Sequence, residues 1–290
     1  MKTTRFSLIG GDARQASLAG LIAADGHAVS TFGIDAPATE MTGTPAKTLA
    51  DCLHGADCIV LPIPMTLDHG ALNAPALRHP PAATEIWQMT RAGQVLAGGR
   101  IPEALRQAGA ARGFAVWDVL TRDDFAVRNA VPTAEGALQI AMENMPITLH
   151  GARCLVVGYG RIGKVLSRRL RSLGAQVTSS ARRQADLAWI EIEGGRAVPT
   201  QALEAALGEC DAVFNTVPAP VLTQDRLKLL PPGCLCIDLA SAPGGVDFDA
   251  AHRLGLHCIW ALSLPGKVAP RTANLILRDT LYHIMMEGLS

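Results

Sequence analysis

The chain lacks the features that mark a macromolecular or membrane partner. Its 26 basic residues are matched by 26 acidic ones, for a formal net charge of zero, and neither sign is gathered into one region. Nucleic acid and anionic lipid both require a clustered cationic excess, so a small partner is expected instead. No uninterrupted apolar run approaches the roughly 20 residues that cross a bilayer. The stretch after Met1 has no apolar export-signal core, and a cytoplasmic protein is expected. Short repeats and low-complexity tracts are also missing. Cysteine is sparse and odd in number, seven in all. Cys58, Cys154, Cys234, Cys236 and Cys258 fall inside strand-like runs, which suits buried reduced thiols better than disulfides. Cys234 and Cys236 share a strand face, but no second ligand pair accompanies them, so no metal site is expected.

What the sequence does contain is an alternation of short apolar runs with helical patterns, repeated twice in 290 residues of 49% hydrophobic composition. The first series has strand patterns at 6–9, 28–32, 58–63, 95–97 and 115–119, with helical patterns at 13–24 and 102–112. Such alternation predicts a parallel, flavodoxin-like sheet. The second series has strands at 154–158, 177–180, 212–217, 234–239 and 257–260, with helices following Gly158 and around 201–207 and 248–253. The fold class expected is α/β, with two doubly wound parallel-sheet domains, the C-terminal one of Rossmann type. Pro132 is expected to break the preceding segment, and Thr133 to cap a helix that enters the second domain. A last amphipathic helix over 268–289, with Leu277, Leu281, Ile284 and Met285 on one face, is expected to return to the first domain. The domains are therefore placed at 1–132 completed by 269–290, and at 133–268.

The chemistry is most legible at Gly158-Tyr159-Gly160-Arg161-Ile162-Gly163, a G-x-G-x-x-G turn between an apolar strand and an amphipathic helix. Gly158 serves the tight turn, Gly160 lets backbone approach a pyrophosphate, and Gly163 allows close helix-on-strand packing. An acidic residue about twenty positions further on holds the ribose in NAD-binding sequences. Here that place reads Ser179-Ser180-Ala181-Arg182-Arg183, and guanidinium groups beside a hydroxyl suit the 2′-phosphate of NADP. Two further strand ends complete the cofactor cleft: Thr216, Val217 and Pro218 on one side, Asp238, Ala240 and Ser241 on the other. The first turn, Gly10-Gly11-Asp12-Ala13-Arg14, is open to two readings, an anion-binding turn using Arg14 and a helix capped by Asp12.

The cofactor half resembles D-2-hydroxyacid dehydrogenases, although Asn215 stands near where they carry His-x-Pro, and their catalytic Arg, Glu and His have no counterparts. A closer resemblance is carried by Ile9 through Gln15, Arg122-Asp123-Asp124 through Asn129, Pro132 through Gly136, the Gly158 turn, Asp238 through Ser241 with Pro243-Gly244-Gly245, and Leu264 through Pro270 with Thr272-Ala273. On these motifs, nearly end to end, the chain resembles the A-subunit family of dipicolinate synthases. Ala242 departs from the family, which often has a basic residue there. The resemblance implies NADP-linked oxidation of a cyclic dihydro- or hydroxytetrahydro-dipicolinate to the pyridine dicarboxylate of bacterial spores, with the synthase's flavoprotein-like B-subunit as partner. The reaction requires a hydride acceptor, a base for one proton and cations for two carboxylates. Arg14 and Arg128 are the candidate cations, with Lys267 and His69 as further options. Asp123, Asp124 and Glu135 are the candidate bases, Ser241 completes the catalytic site, and Pro265 is placed with the cofactor-binding residues. Two alternatives stay open: an NADP-dependent reductase of another small oxo or imino acid, and a cofactor-binding regulatory subunit without chemistry of its own. Homo-oligomerisation is left open as well.

Overall fold

The structure, a computed structural model, describes residues 3–67 and 71–287. The chain divides into two compact units, Met1–Ala126 with Pro270–Ser290, and Val127–Ala269. Among the described residues no helix is long and apolar enough to cross a membrane.

In the first unit, β1 (Arg5–Ile9) leads through the Gly10-Gly11 turn into α1 (Ala13–Ala24) and β2 (Ala28–Phe32). Then come β3 (Thr44–Pro45), α2 (Leu49–Leu53), β4 (Cys58–Val60), α3 (Ala83–Met89), β5 (Val95–Gly98), α4 (Glu103–Ala111) and β6 (Ala115–Asp118). The strands pair in parallel in the order β3-β2-β1-β4-β5-β6. Without the two-residue edge strand β3 this is the flavodoxin order 2-1-3-4-5. The fourth strand is shorter than its apolar run, because Pro62 has no amide proton to give the ladder.

The linking segment corrects one expectation. Pro132 does not break the chain and Thr133 caps nothing: both lie inside α5, one helix over Asp123–Asn144. The Thr133 hydroxyl donates to the carbonyl of Asn129 one turn back, at 2.7 Å. An interior proline costs an isolated helix about 3 kcal/mol. Here burial offsets it, since Ala134, Ala137, Leu138 and Ala141 are packed in the core with Leu166 and Leu170.

The second unit runs β7 (Arg153–Val157), α6 (Arg161–Ser172), β8 (Gln176–Ala181), α7 (Gln184–Ile192) and β9 (Arg196–Pro199). It continues with α8 (Glu204–Leu207), β10 (Ala212–Asn215), α9 (Gln224–Leu227), β11 (Leu235–Asp238), α10 (Phe248–Arg253), β12 (His257–Trp260) and α11 (Leu264–Val268). The sheet order β12-β11-β10-β7-β8-β9 is, counted within the unit, the dinucleotide-fold order 3-2-1-4-5-6 with every pair parallel. Its register aligns Ser180, Val157, Asn215, Asp238 and Trp260 across one edge. The expected helix from Val268 is in fact two, α11 and then α12 (Pro270–Glu287), separated by the non-helical Ala269. Leu281 and Ile284 of α12 are buried in the first unit's core beside Phe6, Leu18 and Ile22. The end of that expected helix, Gly288 and Leu289, lies outside the described residues.

Candidate functional site

At the end of β7 the three glycines have three different environments. Gly158 takes φ +97°, and a Cβ there would lie 2.5 Å from the Thr216 hydroxyl. A Cβ on Gly163 would run into the carbonyl oxygen of Gly158. A Cβ on Gly160 meets nothing within 4 Å. Two glycines thus permit packing, and the third keeps a space open at the start of α6, whose N-terminus no side chain caps. A helix N-terminus with uncapped amides facing open space suits an anionic group such as a pyrophosphate. The residues present therefore fit a dinucleotide, with Tyr159, Arg161 and Ile162 belonging to the same turn and first helical residues.

Sheet register supplies the rest of the edge. The Thr216 hydroxyl donates to the Val157 carbonyl at 2.9 Å, tying the ends of β10 and β7 behind the turn. Val217 and Pro218 follow directly in the chain. The fully buried Asp238 carboxylate accepts from Asn215 Nδ2 at 2.7 Å and from the amides of Ala240, Gly245 and Val246 at 3.0, 2.8 and 3.2 Å. Asn215 also bonds both backbone groups of Val217. Asp238 thus braces the 240–246 loop from within, which corrects its expected place among cofactor contacts. Asn215 and Trp260, whose indole N–H donates to the Ala240 carbonyl at 2.9 Å, are further braces that sequence reasoning missed. Strand-end position was their only signal. Ser241 is exposed at the tip of that loop, and Pro265 is the second residue of α11.

The basic stretch after β8 also differs from expectation. Ser179 and Ser180 are fully buried: Ser179 bonds Ser167, and Ser180 Oγ accepts from the Gly158 amide at 3.3 Å. Neither hydroxyl reaches outward to a phosphate, because β8 is a central strand with both faces covered. Ala181 is buried too. Arg183 is exposed, but its Nε and Nη2 edge is held by Asp186 at 2.7 and 3.1 Å. Asp186 holds its carboxyl below the usual range through that bond, and Lys164 stands 3.9 Å away. Arg182 is exposed and forms no side-chain hydrogen bond or ion pair within the described residues.

In the first unit, the Gly10 and Gly11 amides donate to the carbonyls of Phe32 and Asn73 at 2.8 and 2.7 Å. Asp12 caps α1 and holds the Nε and Nη2 edge of Arg14. The helix-cap reading of this turn therefore prevails over an anion nest, while Arg14 stays half exposed. Asp124 is bound by Arg122 at 2.9 and 3.1 Å and approached by His283 at 3.3 Å. The Arg122 guanidinium draws its carboxyl down to about 2, and Arg122 and His283 between them engage both of its oxygens, so Asp124 serves this ion-pair cluster. Asp123 is exposed in the first turn of α5. Glu135 lies well inside α5 and pairs with Arg169 at 3.1 Å. Arg128 and Lys267 are exposed, and His69 lies outside the described residues.

Residues 5–120 match the family described as the N-terminal domain of the dipicolinate synthase A-subunit. Residues 120–245 match the NAD-binding domain of D-isomer-specific 2-hydroxyacid dehydrogenases. The A-subunit of dipicolinate synthase from Bacillus subtilis (strain 168) is 31% identical over 98% of this chain and 96% of its own. The solved structure of the dipicolinate synthase A-subunit from Bacillus halodurans is similar with a TM-score of 0.87 at 31% identity, covering 98% of this chain and 99% of its own. That of the Bacillus subtilis protein has a TM-score of 0.89 at 30% identity, covering 100% and 98%.

Proposed function

The chain belongs to the dipicolinate synthase A-subunit family, and on that premise we propose that it oxidises dihydrodipicolinate, or its hydroxytetrahydro precursor, to dipicolinate with NADP. The class, an NAD(P)-dependent oxidoreductase, follows from the dehydrogenase NAD-binding domain. The observation that carries the reading is similarity extending over both units, at 31% identity across 98% of the chain, rather than over the cofactor half alone.

The dinucleotide supplies the hydride acceptor. The first turn of α6, with Gly160 at its start, would hold its pyrophosphate, and the exposed Arg182 would meet a 2′-phosphate, which favours NADP over NAD. Arg14 holds a substrate carboxylate through the guanidinium edge that Asp12 leaves open. Asp123 takes the ring proton. Oxidation of the dihydropyridine balances as loss of one hydride, which the cofactor would accept, and one proton, which Asp123 takes; the hydroxytetrahydro precursor must first lose water to reach that dihydropyridine, and the gain of aromaticity means that no Lewis acid is required. The relatives are named as the A-subunit of a synthase, which supports a second component, and we assign this as the flavoprotein-like B-subunit.

The test is to mix the chain, with and without that B-subunit, with NADP and freshly made dihydrodipicolinate, and to follow pyridine absorbance with NADPH fluorescence. Product is expected from the wild type. Arg14→Ala is expected to lower kcat/KM by about tenfold to a hundredfold, the worth of one charged bond. Asp123→Asn is expected to lower kcat far more than Asp124→Asn does. Failure of the reconstituted pair to form product would overturn the reaction, and equal rates in all three variants would overturn the site.

A further inference from the structure

We propose that Tyr159 and Glu193 form a latch that holds the glycine turn in the shape the dinucleotide pyrophosphate requires, with both acting as positioning residues. The inference rests on the dinucleotide reading of that turn and is independent of which acid is oxidised.

Tyr159 stands between Gly158 and Gly160, the two positions at which the turn has least steric definition of its own. Its ring is buried with Ala181, Leu187 and Ile190, anchoring the turn to the end of β8 and the inner face of α7. The phenol donates to Glu193 Oε2 at 2.8 Å. Glu193 is the residue just past α7, where its amide donates to the Trp189 carbonyl, so its backbone is fixed by the helix end. The same carboxylate accepts from Arg168 Nε and Nη2 at 3.0 and 2.6 Å and from Arg171 Nη2 at 3.1 Å. Both arginines belong to α6, the helix that the turn opens. The turn, the body of its own helix and the end of the next one are thereby closed into a ring of bonds through one carboxylate.

A buried phenylalanine would fill the same space, so the hydroxyl adds direction rather than volume. Phenol-to-carboxylate bonds are charge-assisted and roughly twice as strong as neutral ones. Lys164 covers the outer side of the ring, its ammonium 5.6 Å from the centroid. Neither partner changes charge near neutrality. Burial first, and then the Glu193 bond, push the Tyr159 phenol up to about 12, and the Arg168 bond draws the Glu193 carboxyl down to about 2. A turn held in this way offers its amides without first having to be ordered, a cost that otherwise falls on each binding event.

The test is nucleotide binding by the full chain. Tyr159→Phe keeps the ring and removes only the bond. It is expected to weaken ADP-ribose and NADP about tenfold, the lower end for a charged hydrogen bond. The loss should appear in KM for the cofactor rather than in kcat. Adenosine 2′-monophosphate, which lacks a pyrophosphate, should compete equally well against both proteins. Glu193→Gln, which keeps the shape and removes the charge, should move ADP-ribose in the same direction, and it carries the test if Tyr159→Phe fails to fold. ADP-ribose affinity within twofold of wild type in a folded variant would overturn the latch, as would an equal loss for adenosine 2′-monophosphate. Wild-type protein that binds neither NADP nor NAD would overturn the dinucleotide reading, and the latch with it.

Discussion

Gly160 and Gly163 are three residues apart in one turn, yet alanine at each should fail in opposite ways. At Gly160 the backbone is extended, with φ −80° and ψ −160°, which any residue adopts, and an added Cβ meets nothing within 4 Å. The cost to folding is that of exchanging glycine for alanine at a helix N-cap, about 0.5–1 kcal/mol. That is a fall in Tm of roughly 2–4 °C or less for a unit of this size. The same methyl group occupies the space read as the pyrophosphate's approach. Losing two charge-assisted bonds of about 1.5 kcal/mol or more each would weaken the dinucleotide over a hundredfold. At Gly163 the Cβ meets the Gly158 carbonyl, which as backbone cannot rotate away. Overpacking of this kind costs about 1–3 kcal/mol, so Tm should fall by several degrees in the absence of any ligand. Calorimetric melting of the free proteins, paired with NADP titration at low temperature, separates the two outcomes. A folded Gly160→Ala protein that binds NADP as tightly as wild type would refute the assignment of the open space.

Arg182→Ala is expected to weaken NADP about tenfold or more and to leave NAD nearly unchanged, as read by parallel titrations. Equal losses for the two cofactors would defeat the preference for NADP. Acid stability provides another check. Glu193 is held at about 2 in the folded chain, below its ordinary 4.5, so its contribution is complete above about pH 4.5 and is lost as pH falls toward 2. Unfolding free energies from denaturant curves should therefore drop more steeply over that window for wild type than for Glu193→Gln, by at most about 1.4 kcal/mol per pH unit. Parallel curves would show that the Arg168 and Arg171 pairs contribute nothing to stability.

The glycine turn was readable from sequence because its requirements are local. A strand, a left-handed glycine, an open glycine and a packing glycine follow one another within ten residues; the first and third glycines exclude a Cβ on steric grounds within the chain, and the middle one leaves space for a ligand. The alternation of strands and helices was similarly legible, since period and strand length are properties of contiguous residues. Short helices such as Leu49–Leu53 and Ala83–Met89 are too brief for periodicity to separate them from loops. What the tertiary structure decided is how polar side chains are used. Pro132 and Thr133 have the local chemistry of a helix start, yet they lie mid-helix because the alanines beyond them are buried in a core assembled from distant strands. The two basic residues after β8 look equivalent in sequence, but Asp186 holds Arg183 and not Arg182. Asp123 and Asp124 are neighbours, and Arg122 pairs with the second. Tyr159 meets Glu193 across 34 residues because β8 and α7 fold back beside the turn. Whether a carboxylate is a base, a brace or half of an ion pair depends on what lies within about 3 Å of it, and residues close in space are often far apart along the chain.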